Sequence, residues 1–160
     1  YLAVKSVCAT MDVRLVVAEG EGEKCCVELG TDVIVTDDSD VIAMGCQPML
    51  FRAKSSSASL VLSSVVREQL QLSDAEFRDF CILCGTDVSK CIPGIGPVKA
   101  LSHMKKSRTA EGVVEVLQSR GRREEDLDEF LGTLPIARDF LTANVAGRTA
   151  AADGHAAGER

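Results

Sequence analysis

The sequence predicts an α/β protein: a small parallel sheet with helices, continued by an all-helical region. Three observations carry this. The stretch VIVTDDSDVIAM, residues 33–44, is an apolar run that empties into Asp37, Asp38 and Asp40, the texture of a buried strand ending at a polar edge. Strand-like and helix-like segments alternate around it in the order of a right-handed parallel crossover. Beyond Gly85 the strand-like runs give way to short helices around PGIGP, residues 93–97.

In chain order, residues 13–17 (VRLVV) read as a short strand and 21–29 as a short helix stopped by Gly30, because Gly is the usual residue just past a helix. Residues 32–36 form the next strand, 48–53 (PMLFRA) a third, 54–57 (KSSS) a polar loop and 60–62 an edge strand. Helices are predicted over 63–70 and 73–84. The second opens with Ser73-Asp74-Ala75-Glu76, a capping-box pattern, and sets Phe77, Phe80, Cys81 and Cys84 on one face. Further helices span 97–105, 109–119 and 124–132. From residue 145 the chain is Ala/Gly-rich, carries His155 and has no hydrophobic period, which predicts a disordered tail at 145–160.

A chain of 160 residues with 46% hydrophobic content can bury a sizeable core. No apolar run approaches the roughly 20 residues of a membrane span, so no membrane partner is expected. The chain opens YLAVKSVCAT without an initiator Met and is read as a fragment starting inside a larger protein. Seven irregularly spaced cysteines, with Cys25 and Cys26 adjacent, do not form a disulfide framework and point to a reducing compartment. The net charge of −6 argues against a nonspecific nucleic-acid binder when taken globally. Its distribution is uneven: acids crowd residues 19–28 and 32–40, while Lys90, Lys99, Lys105, Lys106 and Arg108 lie together later.

Ligands of parallel α/β sheets sit beyond the carboxyl ends of the strands, which is where Asp38 and Asp40 fall. They project to one side if the extended backbone persists that far. Glu21 and Glu23, opening the preceding helix, and Asp87, just past Gly85, can reach the same end. Hard divalent cations prefer such oxygens, and two of them about 4 Å apart activate water and stabilise a leaving oxygen in phosphodiester cleavage. The plainer reading is that Asp37, Asp38 and Asp40 cap the helix that follows. The segment CIPGIGPVKAL, residues 91–101, has the helix-hairpin-helix pattern. Gly94 and Gly96 permit a turn whose backbone N–H groups approach a phosphate, and Pro97 suits the first turn of a helix. Lys99, Lys105 and Lys106 add charge along a nucleic-acid backbone without reading its sequence.

The ordered motifs AEGEGEKCC, TDDSD, FCILCGTDV and SKCIPGIGPVKAL resemble the internal region and hairpin of the XPG/flap endonuclease family of structure-specific 5′ nucleases, over about residues 15–119. The resemblance implies a PIN-like parallel-sheet nuclease core ending near residue 84, with a helix-hairpin-helix (H2TH-type) DNA-binding subdomain over 85–144. It implies two Mg²⁺ ions, replaceable by Mn²⁺, on Glu21, Glu23, Asp38, Asp40 and Asp87 as metal-binding catalytic residues; Glu19 and Glu21 fit as the glutamate pair if the helix is gapped differently. It also implies a monovalent cation, K⁺, on the backbone carbonyls of Cys91, Ile92 and Ile95, and DNA contacts from Gly94, Gly96, Lys99, Lys105 and Lys106. The expected activity is Mg²⁺-dependent hydrolysis of DNA near single-strand/double-strand junctions in replication or repair, by a nuclear monomer if the source is eukaryotic. A sliding clamp is a further partner to consider, although no clamp-binding motif is visible.

Three departures stand out. Val88 replaces a Tyr, Lys24 replaces a small residue and brings a cation toward the acids, and nothing matches the family's N-terminal region with its two further Asp ligands and basic arch. A non-catalytic DNA-junction module, a 5′→3′ exoribonuclease-like enzyme sharing the Gly-Glu-Gly-Glu string, and a Mg²⁺-dependent phosphatase remain as other readings. Cys81-x-x-Cys84 is read as a buried thiol pair rather than a zinc site, His103 as a surface residue, and Arg120-Gly121-Arg122-Arg123 as a solvated charged loop.

Overall fold

The structure, a computed structural model, describes residues 2–45, 48–52 and 58–143. Its elements are α1 (Leu2–Thr10), α2 (Gly22–Glu28), β1 (Ile34–Thr36), α3 (Asp40–Ala43), β2 (Met49–Arg52), β3 (Ala58–Val61), α4 (Ser63–Leu70), α5 (Asp74–Cys84), α6 (Pro97–Ser107), α7 (Ala110–Ser119) and α8 (Glu124–Leu141). The tail expected from residue 145 onward lies outside the described residues.

The sheet runs in the order β1-β2-β3. β1 and β2 are parallel, with Ile34 opposite Met49, and β3 returns antiparallel with Val61 opposite Met49. The parallel crossover therefore joins β1 to β2 through α3. Residues 13–17 form no strand. Val13, Val16 and Val17 are 52%, 45% and 61% exposed; their apolar pattern suits a strand, but a strand needs a neighbour for its N–H and C=O groups, and among the described residues β1 pairs only with β2. Helix α1, absent from the sequence expectations, buries none of its residues.

Helix α5 organises the rest. Its capping box forms as the sequence predicts: the Ser73 N–H donates to Glu76 Oε2 at 2.7 Å and the Glu76 N–H to Ser73 Oγ at 3.4 Å. Phe77, Ile82 and Leu83 are buried on it, and it packs against α3, which follows the first strand, and against α6, α7 and α8. Helix α8 runs to Leu141, past the expected stop at residue 132 and through Pro135. Leu127, Phe130, Leu134, Ala137 and Leu141 make one buried stripe along it, and this burial outweighs the hydrogen bond that Pro removes. One core cluster extends from Val27 to Leu141, crossing residue 84 without a break.

Asp79 on α5 is 5% exposed. Its Oδ2 accepts the Ala110 N–H that opens α7 at 2.9 Å and Arg138 Nη2 at 2.6 Å, while Oδ1 accepts Arg138 Nε at 2.8 Å. Arg138, on α8, also donates to both carboxylate oxygens of Glu111, at 2.6 and 2.8 Å. One carboxylate thus ties three helices, with the short, paired geometry of a charge-assisted fork. Replacing Arg138 with Ala leaves Asp79 buried and half-satisfied. Because the Arg138 side chain is 36% exposed, the expected loss is about 2–3 kcal/mol, below the usual cost of breaking a fully buried pair, measured by urea unfolding. A loss under about 0.5 kcal/mol, the size of an ordinary surface change, would show that the pair does not hold the helices.

Candidate metal and nucleic-acid site

The end of β1 is shaped by its own side chains. Thr36 Oγ1 accepts the Asp38 N–H at 3.0 Å, and Asp38 Oδ1 accepts the Asp40 N–H at 2.9 Å. The second bond caps α3, whose Ser39 cap residue makes no side-chain cap bond. The extended backbone does not persist to Asp40, so strand alternation is not what juxtaposes the two acids; a side-chain-closed turn does. The plainer expectation of a helix cap and the expectation of a carboxylate cluster thus meet in one residue.

Asp40 is half-buried and Asp38 exposed. Burial, followed by the charges of Asp38 and Asp87, raises the Asp40 carboxyl above its ordinary range. The three acids therefore share one electrostatic neighbourhood although Asp87 comes from the far end of α5. Asp87 is placed by a turn after Gly85, in which Ser89 Oγ accepts from the Thr86 N–H at 3.1 Å and lies 2.9 Å from Thr86 Oγ1. Gly85 has φ +106°, and a Cβ there would lie 2.7 Å from Cys91 Sγ. Only Gly lets α5 end where Asp87 and the hairpin can both leave it.

Glu21 is exposed at the start of α2, and Glu23 is half-buried beside it. Glu23 lines an open cavity of about 330 Å³ with Val16, Cys25, Leu29 and Val35, between α2 and β1. The carboxylates that act on Asp40 are Asp38 and Asp87, and among the described residues no three His, Cys, Asp or Glu side chains lie close enough together to hold a metal ion. The donor chemistry of Asp38, Asp40 and Asp87 fits a hard divalent cation; the number brought within reach of one point is that of a partial site.

Lys24 does not bring its charge to these acids. Its Nζ lies 3.2 Å from the Asp139 carbonyl and 6.0 Å from the centre of the Phe140 ring, drawn to the carbonyl-rich C-terminal end of α8. Val88 is half-buried against the core. Burial, with Cys84 and Asp40, pushes the Cys81 thiol up to about 12, and burial with Cys91 pushes Cys84 up to about 11. Among the described residues neither thiol belongs to a group of three His, Cys, Asp or Glu side chains that could hold a metal ion.

The hairpin is a turn over Ile92, Pro93, Gly94 and Ile95, closed by the Ile95 N–H donating to the Ile92 carbonyl at 3.0 Å. Pro93 at its second position and Gly94 with φ +74° at its third match a type II turn. Ile92 and Ile95 are buried anchors, and Gly96 precedes Pro97 at the start of α6. Lys105 and Lys106 are exposed in the last turn of α6. Lys99 instead folds back, its Nζ 2.8 Å from the Gly94 carbonyl. The carbonyls of Cys91, Ile92 and Ile95 belong to this turn region, the Ile92 carbonyl already accepting one bond. Arg122, read from sequence as part of a solvated loop, is docked on the hairpin with Nη1 2.9 Å from the Pro93 carbonyl; the Arg-Gly-Arg-Arg run was its only sequence signal.

A sheet end bearing acids, joined through one helix to a glycine hairpin, has the architecture of a PIN-like nuclease core continued by a helical subdomain. The catalytic core of Rad2 matches it with a TM-score of 0.70 at 18% identity, over 87% of this chain and 56% of that one. Flap endonuclease-1 from Methanococcus jannaschii matches with a TM-score of 0.69 at 23% identity, over 92% and 45%. In sequence, residues 12–87 match the XPG I-region. Flap endonuclease 1 of Phytophthora infestans is 30% identical over 145 residues, covering 84% of this chain and 37% of that protein, and a probable flap endonuclease 1 homolog of Danio rerio is 38% identical over 112 residues, covering 66% and 32%. The chain belongs to the XPG/flap endonuclease family, and it spans about a third of the length of these relatives.

Asp38 and Asp40 separate folding from chemistry. Asp38→Asn keeps the oxygen that caps α3, whereas Asp38→Ala removes it, so the Ala variant is expected to be less stable by about 1 kcal/mol in urea unfolding. The folded state raises the Asp40 pKa, so its penalty is absent below the unfolded value and complete above the folded one. Asp40→Asn is therefore expected to raise the melting temperature by roughly 1–3 °C at neutral pH and to lose that gain as pH falls through the carboxylate range. A gain that persists at low pH would assign it to something other than charge.

Proposed function

We propose that this chain is the internal region and hairpin subdomain of a Mg²⁺-dependent, structure-specific 5′ nuclease that hydrolyses DNA phosphodiester bonds near single-strand/double-strand junctions. The observation that carries the reading is the shared neighbourhood of Asp38, Asp40 and Asp87 at the end of β1, on the same helix scaffold as the hairpin. Membership of the family and the names of the relatives support it, as do Rad2 structures described with DNA substrate. Residues 1–84 then form the core portion and 85–144 the duplex-gripping portion. The six described cysteines are all free thiols, in keeping with a reducing setting; a nuclear location in a eukaryote, a role in replication or repair and a monomeric state complete the proposal.

Asp38, Asp40 and Asp87 would hold the cation, with Glu21 and Glu23 as further ligands and Mn²⁺ as a substitute. When bound, the metal supplies a hydroxide near neutral pH and stabilises the leaving oxygen. The acids' own contribution is a fixed concentration of negative charge: the Asp38 turn and the Gly85 turn set the positions of three side chains whose mutual repulsion a cation relieves. The hairpin's backbone N–H groups, Lys105 and Lys106 would hold the duplex through its phosphates, with K⁺ on the hairpin carbonyls as an added bridge.

The absence, among the described residues, of three acids within reach of one ion favours one second reading, a DNA-junction module that binds without metal. Calorimetric titration with Mn²⁺ separates the two. Saturable heat in the wild type that is lost in the Asp38→Asn/Asp40→Asn double variant is expected for the nuclease reading. Equal, negligible heat in both, together with junction-DNA binding that EDTA leaves unchanged, would replace it with the binding module.

A further inference from the structure

The connection between α7 and α8 aims a cation at the hairpin, and its backbone leaves little freedom in doing so. The Arg122 N–H donates to the Leu117 carbonyl at 3.2 Å and the Gly121 N–H to the Gln118 carbonyl at 2.9 Å. With Gly121 at φ +77°, these are the paired bonds of a Schellman motif, which places Arg122 just beyond the helix end in one fixed direction. From there its Nη1 reaches the Pro93 carbonyl, 29 residues away in sequence, at 2.9 Å. A Cβ on Gly94 would lie 3.4 Å from Arg122 Nη2, so the guanidinium rests directly on the turn. Lys99 holds the next carbonyl, that of Gly94, at 2.8 Å. Both carbonyls at the tip of the hairpin therefore carry a cationic donor from the chain itself.

Among the described residues no carboxylate neutralises these cations. Among the described residues the ion pairs of arginine and lysine are those of Arg67, Lys90, Arg108, Arg123 and Arg138; Lys99, Lys106, Arg120 and Arg122 have no carboxylate partner. Their charges converge: burial, then Arg120, Lys106 and Lys99, hold the His103 imidazole below its usual range. In a chain of net charge −6, two cations without a carboxylate partner among the described residues, Lys99 and Arg122, resting on the exposed Gly94 turn, make a surface that selects an anion. The bond to Pro93 uses one of the five N–H donors of the guanidinium, and the fork geometry of those remaining suits phosphate oxygens.

We propose that Arg122 is a phosphate-binding residue of the hairpin, a built-in cation that clamps the turn through Pro93 and, with Lys99, holds one backbone phosphate of a DNA duplex. This rests on the reading of the hairpin as the duplex-gripping element. The test is fluorescence anisotropy of a labelled DNA duplex titrated with the protein over a series of KCl concentrations, for the wild type, Arg122→Gln and Arg123→Gln. Arg123 is the neighbouring control because it pairs with Glu125.

Arg122→Gln is expected to weaken binding about tenfold and to lower the slope of log K against log[KCl] by about 0.9, the value for one phosphate contact, while Arg123→Gln behaves as the wild type. If Arg122→Gln matches Arg123→Gln in affinity and slope, Arg122 only fastens the turn and this inference falls while the hairpin reading stands. If the wild type fails to bind the duplex even at low salt, both fall. Should circular dichroism show Arg122→Gln unfolded, Arg122→Lys decides: it keeps the charge and loses the fork, so reduced affinity at unchanged slope supports the assignment and wild-type affinity overturns it.

Discussion

Everything beyond the sheet depends on the carboxylate of Asp79. A buried charge is costly unless fully paired, and this one meets its needs only when three helices are in place at once: α5 that carries it, the first N–H of α7, and Arg138 from α8. Hydrophobic burial along α5 and α8 supplies the bulk of the attraction, yet apolar faces slide and rotate at small cost. A forked ion pair with fixed hydrogen-bond directions does not. The consequence reaches both functional regions, because the C-terminal end of α5 delivers Asp87 to the acids and then leads into the hairpin, while the α7–α8 connection delivers Arg122 to the far side of that hairpin.

The acidic end of β1 shows two demands satisfied by the same atoms. Asp38 caps α3 through Oδ1 and adds negative charge to the surroundings of Asp40. The first is an ordinary structural service; the second opposes folding, since it adds to the burial that holds the Asp40 carboxyl above its usual range. A fold that keeps a half-buried acid beside two others stores repulsion that a bound cation can release. The same residues make a cap and an electrostatic well, so asking which of the two they are for sets up a false choice.

At the hairpin the division of labour is between backbone and side chain. Pro93 and Gly94 set the turn, Ile92 and Ile95 anchor it in the core, and Gly96 with Pro97 starts α6. What the turn alone lacks is charge, and charge arrives from two directions, Lys99 within α6 and Arg122 from outside it. Two cations on adjacent carbonyls hold the loop rigid and leave its outer face positive.

Much of this was legible in the chain. The Ser73–Glu76 capping box, the helices over 63–70 and 109–119, the strand before Asp37 and the Pro-Gly turn follow from local hydrogen bonding and backbone restriction, which involve only residues near one another, and the ordered acid and glycine motifs point to the family. Other features were not local. Whether residues 13–17 pair as a strand depends on a neighbour; α8 outruns Gly132 and Pro135 because its stripe keeps finding core; Lys24 turns toward Asp139 rather than the acids; and Arg122 leaves its charged run for a carbonyl 29 positions away. The sequence by itself determined the turns, caps and acid types, since these are set by short-range sterics and chemistry. Tertiary structure alone decided which charges meet, because electrostatic neighbourhoods depend on distances that only packing fixes.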